Sequence, residues 1–221
     1  TTEIYTLSLH DALPISVAAT IAYWSAGMTL FEAICHAMTT IATAGFSTSD
    51  ASIAHFQSPA IEWTATVFMI IGSIPFVLYF LFVSGRRSAL WRDAQVRWFI
   101  AILLLAVTIM AGWLWLVRDL APETAVRYAA FNTVSVITGT GYASTDYSAW
   151  GGFAVTLLLF VMIIGGCSGS TTGGIKIFRF QMLYSMIMVQ IRRLLQPHGV
   201  FVAHYNRKPI QIGRASCRER V

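Results

Sequence analysis

Three long stretches without a charged residue constrain the fold of this chain more than any other feature. They cover residues 63–83, 99–117 and 149–175, and they are 21, 19 and 27 residues long. A helix needs about 20 apolar residues to cross a hydrocarbon core about 30 Å thick. Each stretch is long enough to span a bilayer, although the third becomes rich in glycine after Ile164. Residues 17–28 are apolar but shorter, and we interpret them as a truncated span.

The overall composition agrees with a membrane protein. Of the 221 residues, 56% are hydrophobic and only 11% are charged, whereas soluble domains average about 25% charged residues. Composition therefore excludes a disordered chain and argues against a soluble enzyme. Away from the two ends, the sequence offers no nucleophile–base pair and no metal-ligand spacing. We expect neither enzymatic activity nor a cofactor, and no binding of nucleic acid.

The distribution of charge orients the predicted spans. Residues 85–98 contain four arginines and one acid, and residues 176–211 contain six basic residues and no acid. Loops rich in Lys and Arg stay in the cytoplasm, so both segments are predicted to be cytoplasmic. Segments 29–62 and 118–150 then face the opposite side of the membrane.

The two ends differ in character from the rest of the chain. Residues 1–16 and 212–221 resemble translations of the two strands of a sequencing-library adapter. Such segments are excluded from fold reasoning. We therefore expect residues 17–211 to be the interior of a longer protein.

An internal repeat organises residues 17–211. When Gly45 is placed on Gly141, an offset of 96, CHAMTTIATAGFSTSD aligns with FNTVSVITGTGYASTD, and MIIG recurs further along in both halves. The sequence predicts two units of span, short helix, glycine-containing loop and span. The first unit is residues 17–84 and the second is residues 99–196. The cytoplasmic loop 85–98 joins them, and the cytoplasmic segment 197–211 follows.

The repeated unit has a restricted set of uses in a membrane. Extended backbone is tolerated there only where it is buried in protein or lines a water-filled path. Carbonyl oxygens in such a loop replace the hydration shell of a cation. Glycine supports the necessary backbone turns because it adopts positive φ without a clash. Two outward-facing loops of this type indicate a pore.

Three motifs carry a family resemblance. TAGFSTSD (43–50), TGTGYASTD (138–146) and GGCSGSTTGGIKIFR (165–179) resemble the Trk/Ktr/HKT superfamily of potassium transporters, and most of all its Trk-type potassium-uptake membrane subunits. The resemblance implies an all-α membrane protein with four tandem span–pore helix–filter loop–span repeats, and this chain matches repeats three and four. It implies K⁺ as the transported ion, a homodimer in the lipid of a bacterial inner membrane, and a cytosolic nucleotide-binding regulatory subunit.

The resemblance also implies roles for individual residues. K⁺ would bind to the carbonyls of two filter loops, formed by Thr43, Ala44, Gly45 and Phe46 and by Thr138, Gly139, Thr140, Gly141 and Tyr142. A gate is expected where Pro75 breaks the helix, with Gly72 and Ser73. Lys176 and Arg179 are expected either to project toward the path below the filter or to anchor the chain at the interface. Asp50 and Asp146 would form an outer ring of carboxylates or cap local turns.

Two alternative functions stay open. A cation symporter coupled to H⁺ or Na⁺ also uses broken helices near the membrane mid-plane. A truncated fragment would not conduct at all, because two of four filter loops do not close a ring. The run GGCSGSTTGG has the glycine spacing of a phosphate-binding loop, but Ile175 occupies the position of the required lysine. We therefore interpret its small residues as packing contacts and its hydroxyls as partners for broken backbone.

Overall fold

The computed structural model describes residues 2–85, 88–196, 204–205 and 208–209. Its helices are α1 (Thr2–Ser25), α2 (Leu30–Ile41), α3 (Pro59–Gly72), α4 (Phe76–Val83), α5 (Ser88–Arg92), α6 (Ala94–Leu116), α7 (Pro122–Thr138), α8 (Gly152–Ile163) and α9 (Ile177–Leu195). Single 3-10 turns cover Ser52–Phe56 and Tyr147–Trp150. The strands β1 (His204–Tyr205) and β2 (Lys208–Pro209) form one antiparallel pair. Our predictions for Arg86, Arg87, the segment 212–221 and most of 197–211 lie outside the described residues.

The apolar runs form helices of unequal length. Within the described part of the chain, only α6 is a single helix that is long and apolar enough to cross a membrane. Helices α3 and α4 pass the same test only together, and they meet at an angle of 93°. The break between them includes Pro75, as the sequence predicted, because proline lacks the N–H that a continuous helix requires.

The third apolar run departs from the expectation of a continuous span. Helix α8 ends at Ile163 after 12 residues, and α9 does not begin until Ile177. The expectation was wrong because the glycines and hydroxyl residues of 164–176 bond to one another and to neighbouring elements, and they do not extend α8. We call residues 164–176 the glycine segment.

The two helices that precede the glycine-containing loops, α2 and α7, begin with local signals. Thr29 caps α2 through its side chain, and Glu32 bonds back to the Thr29 N–H at 3.0 Å, which completes a capping box. The hydrogen bonds from Thr29 hold the pKa of Glu32 below its usual value. Helix α7 begins at Pro122, whose fixed φ suits the first helical position.

The core connects the two units. Helix α7 packs against α3, α6 and α8, and α2 packs against α1 and α3. The face of α7 is rich in small buried residues such as Ala125, Ala129 and Ala130, which let neighbouring helices approach closely. Helix α1 is continuous from Thr2, so residues 2–16 and the following apolar residues form one helix.

Candidate functional site: two equivalent loops above a broken span

The loops that follow α2 and α7 share an unusual backbone. We call residues 42–50 the first loop and residues 139–146 the second loop. Positive φ angles occur at Thr43 (49°) and Gly45 (71°) in the first loop and at Gly139 (72°) and Gly141 (84°) in the second. Equivalent positions therefore adopt equivalent conformations. A β-branched residue with positive φ is a true outlier, and Thr43 is held there by hydrogen bonds from its hydroxyl to the carbonyls of Ala42 (2.8 Å) and Thr171 (3.0 Å).

One hydroxyl on each short helix donates to a carbonyl within the loop that follows that helix. The Thr39 hydroxyl on α2 donates to the Phe46 carbonyl at 2.9 Å. The Ser135 hydroxyl on α7, 96 residues later, donates to the Tyr142 carbonyl at 2.6 Å. These two carbonyls therefore face the short helices, and they are not available to an ion in the space between the loops.

A second pair of equivalent side chains, His36 on α2 and Asn132 on α7, bonds to a serine in the loop that follows each helix. His36 Nδ1 lies 2.8 Å from the Glu32 carbonyl, so in the neutral imidazole Nδ1 donates and Nε2 accepts from the Ser47 hydroxyl at 3.0 Å. At the equivalent position, Asn132 donates to the Ser144 hydroxyl at 2.9 Å. His36 is fully buried, so it is a structural hydrogen-bonding residue, the default that sequence reasoning favours for a lone histidine. Asn132 and Ser144 were missed, although the 96-residue offset identifies Asn132.

The middle of each loop presents unpaired carbonyl oxygens. Within the described residues, no hydrogen bond reaches the carbonyls of 43–45 or 139–141. Ala44, Gly139 and Gly141 are exposed, whereas Thr43 and Thr140 are buried. The two loops lie against each other, since a Cβ built on Gly45 would lie 1.8 Å from the Thr140 oxygen. Backbone oxygens arranged in this way are suited to bind a dehydrated monovalent cation.

Directly next to these loops, the glycine segment docks into the break between α3 and α4. The Thr171 hydroxyl has one proton and lies within hydrogen-bonding distance of two carbonyls, those of Ile41 (2.8 Å) and Gly72 (3.1 Å). The Cys167 N–H donates to the Ser73 carbonyl at 3.1 Å. Gly72, Ser73 and Pro75 are buried. The two breaks in the predicted spans therefore satisfy each other's backbone groups, as non-helical backbone in a membrane requires.

Close backbone contacts explain the composition of the glycine segment. Its two ends pair as a short parallel bridge, with the Gly165 N–H donating to the Ile175 carbonyl at 2.9 Å. A Cβ on Gly165 would lie 2.1 Å from the Gly173 oxygen. The small residues thus allow contact of the segment with itself and not only the helix packing that we predicted. The prediction that the hydroxyls of this run partner broken backbone is confirmed by Thr171 and by Thr172, whose hydroxyl accepts from the Gly166 N–H at 3.1 Å.

The predicted charged residues occupy different environments. The half-buried Lys176 ammonium donates to the Ser170 carbonyl at 3.5 Å and to the Thr172 hydroxyl at 3.1 Å, and it also contacts the Thr172 carbonyl. Arg179 is exposed on the first turn of α9. Asp146 accepts from the Ser148 N–H at 2.9 Å and so caps a 3-10 turn, and Asp50 is exposed. The described residues contain no cluster of His, Cys, Asp and Glu that would hold a metal ion.

Comparison with known proteins agrees with this arrangement. The family model for TrkH, described as a cation transport protein, matches residues 6–221. The chain belongs to the TrkH family. The family consists of cation transport proteins, and membership makes the apolar helices parts of a multi-pass membrane protein.

Relatives within the TrkH family match most of this chain. The Trk system potassium uptake protein TrkI of Halomonas elongata is 45% identical over 93% of the chain, and TrkH of Salmonella typhimurium is 37% identical over 94%. The crystal structure of the potassium transporter TrkH from Vibrio parahaemolyticus superposes with a TM-score of 0.81 at 38% identity over 91% of the chain. The chain spans only 41–42% of the length of these proteins.

Proposed function

We propose that this chain is part of the ion-conducting subunit of a potassium-uptake system and contributes two of its selectivity-filter loops. The observation that supports this most directly is the similarity of the two loops. They have equivalent positive φ angles, equivalent hydrogen bonds from a helix hydroxyl, and unpaired carbonyls at 43–45 and 139–141. K⁺ sheds water readily when a ring of carbonyls replaces its hydration shell. K⁺ is the transported ion, and no cofactor takes part.

In this proposal, fewer residues contribute ion-facing carbonyls to the filter than the sequence motifs suggest. Its ion-facing oxygens belong to Thr43, Ala44 and Gly45 and to the equivalent residues 139–141. Phe46 and Tyr142 end the filter, because their carbonyls bond back to α2 and α7. The Thr138 hydroxyl supports the second loop from behind, where it lies 2.8 Å from the Thr140 hydroxyl. Asp50 and Asp146 lie in the outer vestibule, where exposed carboxylates concentrate cations.

The gate in this proposal is formed by both broken spans together. Gly72, Ser73 and Pro75 supply one side, and the glycine segment supplies the other. The contacts of Thr171 with Ile41 and Gly72 support this assignment, because they connect the segment both to the end of α2 and to the break. Lys176 holds the glycine segment closed by donating to the Ser170 carbonyl and the Thr172 hydroxyl of that segment. Arg179 adds positive charge at the start of α9.

The cellular setting follows from the relatives and from the charge distribution. The relatives named above are Trk system proteins of bacteria, so we place the complete subunit in the bacterial inner membrane, surrounded by lipid. The basic segments 85–98 and 176–211 form its cytoplasmic surface. A homodimer and a cytosolic nucleotide-binding regulatory subunit complete the assembly in this proposal.

Potassium uptake by the complete transporter tests the proposal. The full-length protein that contains this chain is reconstituted in liposomes, and initial rates of K⁺ and Na⁺ uptake are compared. Gly141→Ser should lower the K⁺/Na⁺ ratio or abolish uptake, because it alters the backbone at an ion-facing carbonyl. Gly112→Ser is the matched control, since a side chain at Gly112 on α6 meets nothing within 4 Å. Unchanged flux and selectivity in Gly141→Ser would contradict the filter assignment.

A further inference from the structure

A row of hydroxyls, buried except at the half-buried Thr39, lies behind the first loop. Tyr23 on α1 lies 2.8 Å from the Thr40 hydroxyl on α2. The Thr40 hydroxyl lies 3.4 Å from the Tyr142 hydroxyl, which belongs to the second loop. The Tyr142 hydroxyl in turn lies 2.5 Å from the Thr39 hydroxyl. The row ends where Thr39 meets the Phe46 carbonyl at 2.9 Å.

The donors and acceptors in this row have one consistent direction. Thr39 has one proton and three carbonyls within reach, those of Phe46 (2.9 Å), Cys35 (3.0 Å) and His36 (3.3 Å), and the row runs in one direction when the proton goes to Phe46, the nearest of the three. Thr39 then accepts from Tyr142, Tyr142 accepts from Thr40, and Thr40 accepts from Tyr23. Each hydroxyl donates once and accepts from the one before it. A chain of this kind polarises its members in the same sense, and in a dry environment each bond strengthens the next.

Tyr142 is the member that joins the two units. Its side chain is 1% exposed and contacts α2 through the Thr39 and Thr40 hydroxyls. The equivalent residue of the first unit is Phe46, which has no hydroxyl and is 75% exposed. The tie from the second loop to the first short helix is therefore a specific property of Tyr142 and not a general property of the repeat.

We propose that Tyr142 is a positioning residue that sets the orientation of the Phe46 carbonyl through the Thr39 hydroxyl, and so couples the geometry of the two filter loops. Rotation of the Phe46 peptide would break the Thr39 bond and leave the Thr39 proton to the Cys35 carbonyl at 3.0 Å, so the row would no longer end at the first loop. While the row is intact, the Phe46 carbonyl stays turned away from the ion path and the three carbonyls before it keep their spacing. The inference rests on the proposed function.

The experiment removes hydroxyls one at a time from the complete transporter in liposomes. Thr39→Val and Tyr142→Phe should each lower the ratio of K⁺ to Na⁺ uptake by about 2- to 10-fold, the range that loss of one hydrogen bond supports. Thr40→Val and Tyr23→Phe should have progressively smaller effects, since they lie further from Phe46. Thr39→Ser keeps the hydroxyl and should retain the ratio. Tyr147→Phe, at an exposed tyrosine on the outer side, is the matched control.

The same series separates positioning from loss of structure. The thermal unfolding midpoint of each variant is measured beside the uptake ratio, and the double variant Thr39→Val/Tyr142→Phe should change the ratio less than the sum of the two single effects, because both act through one row. If the unmutated transporter does not take up K⁺, the proposed function fails. If it does, but Tyr142→Phe and Thr39→Val keep its ratio or change it no more than Tyr147→Phe does, the coupling through Tyr142 is wrong.

Discussion

Gly45 of the first loop lies directly against the Thr140 carbonyl of the second loop. A Cβ at Gly45 would lie 1.8 Å from the Thr140 oxygen and 2.9 Å from the carbonyl carbon. No side chain fits at that separation, and the obstacle is backbone and not a flexible side chain. Glycine at this position is therefore required both by its φ of 71° and by the contact between the two loops.

Gly45→Ala should abolish potassium uptake by the complete transporter. The added methyl group must displace either the first loop or the Thr140 peptide, and both carry carbonyls that we assign to the filter. Gly141→Ala should be milder. Its methyl group meets nothing within 4 Å, so it carries only the cost of the left-handed conformation, about 1–2 kcal/mol. Initial rates of K⁺ uptake in liposomes measure both effects.

Gly112→Ala is the control for the glycine pair, because the methyl group enters open space on α6. Its uptake should equal that of the unmutated protein. Equal uptake by Gly45→Ala and Gly112→Ala would show that the two loops do not meet as described.

A buried ion pair between the two units provides a second prediction. Arg127 Nε on α7 lies 3.6 Å from Glu62 Oε2 on α3, and both side chains are largely buried. Removing one partner leaves an uncompensated buried charge, which costs about 3–5 kcal/mol. Arg127→Met should therefore lower the thermal unfolding midpoint of the transporter strongly. The double variant Glu62→Leu/Arg127→Met should recover much of the loss, because replacing both partners leaves no buried charge.

The comparison of single and double variants decides the ion-pair prediction. Additive losses of stability in the double variant would mean that the two charges do not stabilise each other across the α3–α7 interface. Arg118→Met is a suitable control, since Arg118 is an exposed arginine on the same side of the molecule.

Local patterns predicted some of these features well. The capping box of Thr29 and Glu32 follows from local sequence alone, because a threonine and a glutamate three residues apart satisfy each other's backbone at a helix start. The break at Pro75 followed from the chemistry of proline alone. The positions of Gly45 and Gly141 followed from the repeat, because the same backbone conformation recurs with an offset of 96 residues.

Features that depend on distant docking could not be predicted in the same way. Glu62 and Arg127 are 65 positions apart in the sequence, and only the packing of α3 against α7 brings them together. Most of the glycine segment continues an uncharged run, and the absence of charge does not show that its backbone bonds to Gly72 and Ser73. The orientation of the Phe46 and Tyr142 carbonyls toward α2 and α7 was also missed, since a motif specifies residues and not peptide orientation.

Thr171 should control how firmly the glycine segment is held. Its hydroxyl lies within hydrogen-bonding distance of the carbonyls of Ile41 and Gly72. Thr171→Val keeps the shape and removes the hydroxyl, so the segment should open more readily and K⁺ uptake should rise by about 2- to 10-fold, as expected for loss of one hydrogen bond. Thr171→Ser should behave like the unmutated protein. Thr108→Val, which removes an exposed hydroxyl on α6, is the control, and a rate for Thr171→Val equal to it would contradict the prediction.

Gln95 should connect the start of α6 to the glycine segment. Gln95 is two residues after Asp93, the N-cap of α6. The Ser168 N–H donates to Gln95 Oε1 at 2.8 Å, and the Gln95 side chain is 9% exposed. Gln181 on α9 donates to the Ala94 carbonyl at 2.9 Å, so the helix that follows the glycine segment is also held at the start of α6.

Gln95→Ala should raise basal K⁺ uptake, because the half-buried Ser168 N–H loses its acceptor, and loss of one hydrogen bond costs about 1 kcal/mol in the closed state. Gln95→Glu keeps an acceptor oxygen at the same reach and should preserve the closed state. Initial uptake rates are measured in liposomes that contain only the transporter, so that no cytosolic partner contributes. Gln190→Ala, at an exposed glutamine on α9, is the control. If Gln95→Ala and Gln190→Ala take up K⁺ at the same rate, the bond from Ser168 to Gln95 does not restrain the segment.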